Sequence, residues 1–295
     1  MLKQSLTYNV TLAIIKLKGL KQKFSQDPID YIAIRKEDVY KPIGSFFKKY
    51  ITNTFQIVNT SITEIVHNDS NKLILFINGG AFISGPAQHH WDTIKEITMA
   101  TNYTVWLCNY PKAPENSIED ISKNVDAVYA EALKRFEPKN IILLGDSVGG
   151  TLITALTQRL LTNRKELPKK LILVSPVMDA SFSNPDIDTI DPIDPMLSKK
   201  GLLSAKKMCA KDKNLKDPII SPIYGSFEGF PETILFAAER DITYPDQILA
   251  YEKANKAKAD IRLIQGKNMP HIWPLLPIMK EAKMALDELI TIVNE

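Results

Sequence analysis

Little in this chain of 295 residues points toward disulfides, metals or a charged polymer. The two cysteines, Cys108 inside an apolar run and Cys209 in a lysine-rich segment, give neither a disulfide framework nor the spacing of a zinc site. A reducing cytosol is the expected home. Charge of one sign is equally scarce, with 37 Lys and Arg against 34 Asp and Glu, and the lysines scattered or offset by acids. The net charge of +3 excludes binding driven by charge alone, whether to nucleic acid or to an acidic substrate. At the amino terminus the longest uncharged stretch, Ser5 to Ile15, is too short to span a bilayer, and no small-residue cleavage site follows it. No internal repeat is visible. Glycine is sparse at 12 residues and histidine at four, so a glycine cluster or a well-placed histidine carries information.

What remains is a chain with 44% hydrophobic residues, enough to bury a large core. From Lys72 onward, apolar runs at Leu73 to Ile77, Thr104 to Asn109, Ile141 to Leu144, Leu171 to Val174, Thr233 to Ala237 and Ile261 to Ile264 are separated mostly by helix-length segments. Short runs buried on both faces and joined by helices predict an α/β fold with a mostly parallel central sheet, as one domain over residues 1–295. Two alternating segments, Thr54 to Thr60 and Ile62 to His67, predict strands that open the sheet. The connection Ser181 to Pro218 is unusually long, an acidic, proline-rich IDTIDPIDP run followed by the lysine-rich SKKGLLSAKKMCAKDK. A small helical cap or lid is expected there. Near the amino terminus, Leu2, Leu6, Val10, Ile14, Leu17 and Phe24 approximate one face of a helix, with Lys16, Lys18, Lys21 and Lys23 interleaved. This helix is expected to pack over the candidate site rather than to lie on a membrane surface.

The most informative stretch is IILLGDSVGG, Ile141 to Gly150, where a serine stands between two glycines at the end of an apolar run. A buried strand turning sharply into a helix at Ser147 would expose its Oγ, and small residues at Gly145 and Gly149 let strand, turn and helix approach. A serine hydroxyl needs an imidazole to take its proton, so the four histidines can be sorted by position. His67 lies in an early strand-and-turn region. His89 and His90 precede an expected helix and read as surface or capping residues. His271 sits in GKNMPHIWP just beyond the run Ile261 to Ile264, where the carboxyl edge of the sheet should lie, and is the candidate base. The imidazole needs an acceptor, and Asp241 in AAERDITYPD follows another strand, ahead of its competitors Glu239 and Asp246. The order Ser, Asp, His is that of α/β hydrolases. NGGAF, Asn78 to Phe82, follows the strand Leu73 to Ile77 and can aim backbone amides at an oxyanion.

Together these segments resemble the hormone-sensitive-lipase-like branch of the α/β-hydrolase esterases over at least Leu73 to Pro274. NGGAF stands where that family has HGGGF, NYPKAPE at Asn109 to Glu115 is similar to its YRLAPE segment, GDSVGG to its GDSAGG elbow, and DPIISP at Asp217 to Pro222 also matches. The resemblance implies an α/β-hydrolase fold with Ser147 as nucleophile, Asp241 as acid, His271 as base and oxyanion amides from Gly80, Ala81 and Val148. It further implies that residues 1–50 and 181–218 form a cap, with Phe82, Trp91 and Trp273 as candidate pocket walls, burial in the core being the better reading of Trp91. Asn78 replaces the usual histidine and Ala81 the third glycine, which keeps every amide donor but alters the loop. The expected activity is hydrolysis of small-to-medium acyl esters by a serine carboxylesterase, with no metal or organic cofactor. Amide or formamide hydrolysis, acyl transfer to an alcohol, and a ligand-binding member without turnover are the alternatives.

Overall fold

The computed structural model describes residues 4–67, 70–276 and 278–295. Its centre is an eight-stranded sheet of β1 (Ile51–Ile57), β2 (Thr60–Val66), β3 (Leu73–Ile77), β4 (Thr104–Asn109), β5 (Ile141–Asp146), β6 (Lys170–Val174), β7 (Glu232–Ala238) and β8 (Ile261–Gly266). The spatial order is β1-β2-β4-β3-β5-β6-β7-β8. β1 to β2 and β2 to β4 are antiparallel, and every later pair is parallel. β3, β5 and β6 are buried along their whole length, as near-continuous apolar runs covered by helices on both faces should be.

The opening strand runs three residues earlier than the expected Thr54 to Thr60. Ile57 pairs with Thr60, leaving Val58 and Asn59 as a two-residue hairpin loop, with Val58 at φ 53°. A β-branched residue in the left-handed region gives no turn signal in a sequence, so the alternation reads straight through it.

Among the described residues seven helices of twelve or more residues surround the sheet: α1 (Leu6–Leu17), α2 (Gln88–Ala100), α3 (Ile118–Ala132), α4 (Val148–Thr162), α5 (Lys199–Ala210), α6 (Tyr244–Lys256) and α7 (Lys280–Asn294). α1 buries a different face from the one expected. Tyr8, Thr11 and Ile15 are buried, whereas Leu6 and Leu17 are 80% and 87% exposed, and Leu2 lies outside the described residues. Polar anchors set this orientation. Ser5 N and Oγ donate to Glu281 of α7, Lys280 N donates to Thr7 Oγ1, and Tyr8 Oη donates to the Asn268 carbonyl. Among the described residues no helix is long and apolar enough to cross a membrane.

The segments 1–50 and 181–218 meet each other. Ile29 N donates to Ser204 Oγ at 3.0 Å, Lys21 Nζ donates to the Asp194 carbonyl at 2.8 Å, and a Cβ on Gly201 would lie 1.9 Å from the Phe24 carbonyl oxygen. Arg35 ties the first segment to the loops after β3 and β4. Its guanidinium makes a two-pronged contact with Glu115 at 2.8 and 2.7 Å and donates to the carbonyls of Ile83 and Ala113.

Candidate active site

Ser147 occupies the single residue between β5 and α4, at φ 52° and ψ −123°. That conformation is sparsely populated for any residue with a side chain and is held by the packing around it. The glycines make the packing possible. A Cβ on Gly149 would come within 1.9 Å of the Ile77 carbonyl, and one on Gly145 within 2.6 Å of Gly149. Ser147 N donates to Val174 O at the end of β6, which pins the turn against the neighbouring strand. Val148 is the first residue of α4, so its N–H belongs to the helix's unpaired first turn.

His271 and Asp241 meet at 2.6 Å, Nδ1 to Oδ2, with both side chains buried. Asp241 also accepts from Thr243 N at 2.9 Å and from Gln247 Nε2 at 3.2 Å, so its carboxylate is held from three sides. Burial pulls the His271 pKa down, but the charge of Asp241 and the hydrogen bond to it outweigh that, and the net shift is upward. The histidine loop is anchored beside the elbow, because Ile272 N donates to Ser175 Oγ at 3.0 Å and Ser175 directly follows the strand that holds Ser147 N. Among the described residues the ring's hydrogen bond is the one to Asp241, and Ser147 Oγ is left without one. Such contacts commonly tighten only when substrate is bound.

The loop after β3 carries three successive residues at positive φ: Gly80 at 119°, Ala81 at 55° and Phe82 at 67°. Gly79 N donates to Asp146 Oδ1 at 2.9 Å, and a Cβ on Gly79 would sit 2.4 Å from the same carboxylate. Asn78, where the resemblance has a histidine, donates from side-chain Nδ2 to Gly79 O at 2.6 Å, and its main-chain carbonyl accepts from Tyr110 Oη at 3.0 Å. The amide thus braces the loop locally.

His89 and His90 lie inside α2 rather than before it, and the surface reading is corrected. His90 is 2% exposed, and its Nδ1 accepts from Ala87 N at 2.8 Å, which is a cap made by a buried residue. The ring proton therefore sits on Nε2, 3.2 Å from Asp146 Oδ1. Burial pushes the Asp146 carboxyl up, but the His90 imidazole and the Gly79 N–H draw it further down, so it stays ionised. Asp146 thereby ties the candidate oxyanion loop and α2 to the elbow. His89, His90 and Asp146 bring possible ligand atoms within 4.8 Å of one another, yet the Nε2 proton of His90 occupies the lone pair that a cation would need.

Of the expected pocket walls, Trp91 is fully buried and donates from Nε1 to Val39 O. Trp273 is 3% exposed, packed against Phe236 of β7 with ring centroids 5.8 Å apart and against Gly266 of β8. Phe82 is buried beneath Lys206 of α5, whose Nζ lies 4.4 Å from the ring centroid.

A family profile described as alpha/beta hydrolase fold matches residues 74–275. An esterase of Acinetobacter venetianus is 30% identical over 228 residues, covering 75% of this chain and 74% of the relative. The chain belongs to the α/β-hydrolase family. A solved structure of a "putative esterase" from Staphylococcus aureus superposes with a TM-score of 0.87 at 28% identity, covering 97% of this chain and 99% of that one. An esterase from the bacterial hormone-sensitive lipase family shares the fold at 22% identity and a TM-score of 0.86, covering 99% and 98%.

Three side chains of this α/β hydrolase that bear on the site escape a reading of motifs. Asp194, from the 181–218 segment, accepts from Ile242 N at 2.9 Å and from Met196 and Leu197 N, and burial and the charge of Asp241 push its carboxyl up to about 7. Gln247 supports Asp241 from the first half of α6. His89 Nε2 is buried without a hydrogen-bond partner among the described residues, and burial and the neighbouring His90 push the ring down to about 3. Only the Asp194-Pro195 run carried a local signal, as part of an unusual connection.

Proposed function

We propose that this α/β hydrolase is a serine carboxylesterase acting on small-to-medium acyl esters through an acyl-enzyme on Ser147. The observation that carries this reading is the buried 2.6 Å His271–Asp241 pair, tied through Ser175 to the strand end that holds Ser147. Ser147 Oγ attacks the ester carbonyl while His271 Nε2 takes its proton, and Asp241 holds Nδ1 protonated and stabilises the imidazolium. The carbonyl oxygen, now negative, is met by the amides of Gly80, Ala81 and Val148, donors of the kind worth about 3–4 kcal/mol each in comparable sites. His271 returns the proton to the leaving alcohol. Water then attacks the acyl group by the same route in reverse. The residues supply each proton and each counter-charge, so the scheme requires no metal or organic cofactor. The free, buried Cys108 and Cys209 fit a reducing compartment.

A fluorophosphonate probe tests the reading. Wild type should be labelled and should hydrolyse acetyl to hexanoyl esters, and Ser147→Ala should lose both. Labelling that persists in the folded variant would remove Ser147 from the role.

A further inference from the structure

Lys206 is a lysine that the mechanism leaves unused. Its side chain is fully buried, and Nζ has no hydrogen-bond partner among the described residues. Lys170, also fully buried, shows how this chain otherwise treats an ammonium: its Nζ donates to Ile292 O at 2.8 Å and lies 3.1 Å from Glu232. What Lys206 has is the face of Phe82, at 4.4 Å from the ring centroid. A ring face returns only part of what an ammonium loses on leaving water.

The helix explains where that amine points. Gly201 and Ser204 of α5 face the amino-terminal segment, through the Phe24 carbonyl and Ile29 N. Lys206 is two residues on from Ser204, a turn of about 200°, so it projects from the other side, onto the loop after β3. Phe82 adjoins Ala81, whose N–H is a candidate oxyanion donor. The amine therefore packs on the side chain of the residue that follows a candidate oxyanion donor. Burial pushes its pKa down to about 7, and the ionisable neighbour that bears on it is Cys209 rather than a carboxylate.

We propose that Lys206 is the counter-charge for a carboxylate carried by the substrate, so that this esterase prefers esters bearing a free carboxylate over neutral ones of the same size. The proposal rests on the esterase reading above. The substrate brings the partner that the fold withholds, and the amine is protonated as the carboxylate arrives. A water-filled or purely structural lysine would give no such preference.

The test compares monoethyl succinate and monoethyl glutarate with ethyl butyrate and ethyl valerate, and acetoxyacetate with ethyl acetate, in wild type, Lys206→Met and Lys206→Arg. Wild type should favour one carboxylate series by about tenfold or more in kcat/KM, and Lys206→Met should lose roughly 30-fold on that series while neutral esters change less than about twofold. Lys206→Arg should recover part of the loss. In wild type the ratio of carboxylate to neutral kcat/KM should fall as pH rises past about 7, because free Lys206 loses its proton there and the His271 dependence cancels in the ratio. A ratio that is the same in wild type and Lys206→Met, or that is flat with pH, overturns the proposal. If Lys206→Met does not fold, the wild-type pH ratio and Lys206→Arg still decide. Fluorophosphonate labelling separates the two levels: intact labelling without carboxylate preference removes only the role of Lys206, whereas no labelling and no turnover of any ester removes the esterase reading itself.

Discussion

At the residue scale the site is built from groups held where they would not rest alone. Ser147 sits at φ 52° and ψ −123°, a strain of about 1–3 kcal/mol for a residue with a Cβ. Glycine has no such penalty but gives up about 0.5–1 kcal/mol more backbone entropy on folding than alanine. Strain is the larger of the two. Ser147→Gly should therefore melt above Ser147→Ala by about 2 °C, and the reverse order would show that the turn is relaxed. Asp241 sets the behaviour of His271 in the same local way. In the proposed role of base His271 must be neutral to act, so kcat/KM should be lost as pH falls through a His271 pKa that lies above the ordinary histidine value. Asp241→Asn removes the charge that raises it. The acid limb should move to lower pH while kcat/KM at pH 8 falls by about 10³ to 10⁴, as in the triad template. Asp194→Asn should move the limb the same way by less, since Asp194 also raises His271 but from behind Asp241. A pH–rate profile unchanged in both variants would detach His271 from its carboxylates.

At the element scale, the loops on the carboxyl edge are positioned by segments far away in the chain. Arg35 joins the loop after β3, through Ile83 O, to Ala113 and Glu115 in the loop after β4. This gives NYPKAPE a structural reason: its glutamate receives a planar fork that lysine cannot reproduce. Arg35→Ala should lower stability by about 1.5–3 kcal/mol in denaturant titration and slow fluorophosphonate labelling of Ser147, and Arg35→Lys should recover little of either. Labelling at the wild-type rate in both variants would show that the loop holds its shape unaided. Such contacts also explain which features were legible in the residues. The parallel strands, Ser147, Asp241 and His271 each carry a local signature, an apolar run or a short motif at a strand end. The buried face of α1 does not, because its apolar stripe Leu6, Val10 and Leu17 is overruled by Ser5, Thr7 and Tyr8 reaching Glu281, Lys280 and Asn268. His90 and Asp194 are hidden for the same reason. Their partners, Asp146 and Ile242, lie 56 and 48 residues away.

At the scale of the whole molecule, buried titratable groups couple the candidate site to the stability of the fold, and their signs can be summed. Burial pushes Lys206 and Lys112 down to about 7 from an unfolded value near 10.5. The folded chain therefore binds fewer protons than the unfolded one above pH 7, and both lysines make stability rise with pH from there. His271 opposes them, since its raised pKa means stability is lost as pH climbs through the folded value. The carboxyls raised to about 7 and about 6, Asp194 and Asp246, have spent most of their opposing effect by pH 7. The Cys108 and Cys209 thiols, pushed up by burial, begin to oppose only near pH 9. Between pH 7 and 8.5 two groups act against one, and the sum is a rise. Urea midpoints should therefore be higher at pH 8.5 than at pH 7 in the wild type. Lys206→Met removes one of the two lysines and should leave the midpoint nearly level across the same window. A wild-type midpoint that is flat, with an unchanged slope in Lys206→Met, would mean that Lys206 keeps its proton in the folded state and has found a partner without substrate. That result would also remove the reason for a carboxylate to bind there, so the stability curve of the ligand-free chain bears directly on the substrate preference proposed for the Ser147 site.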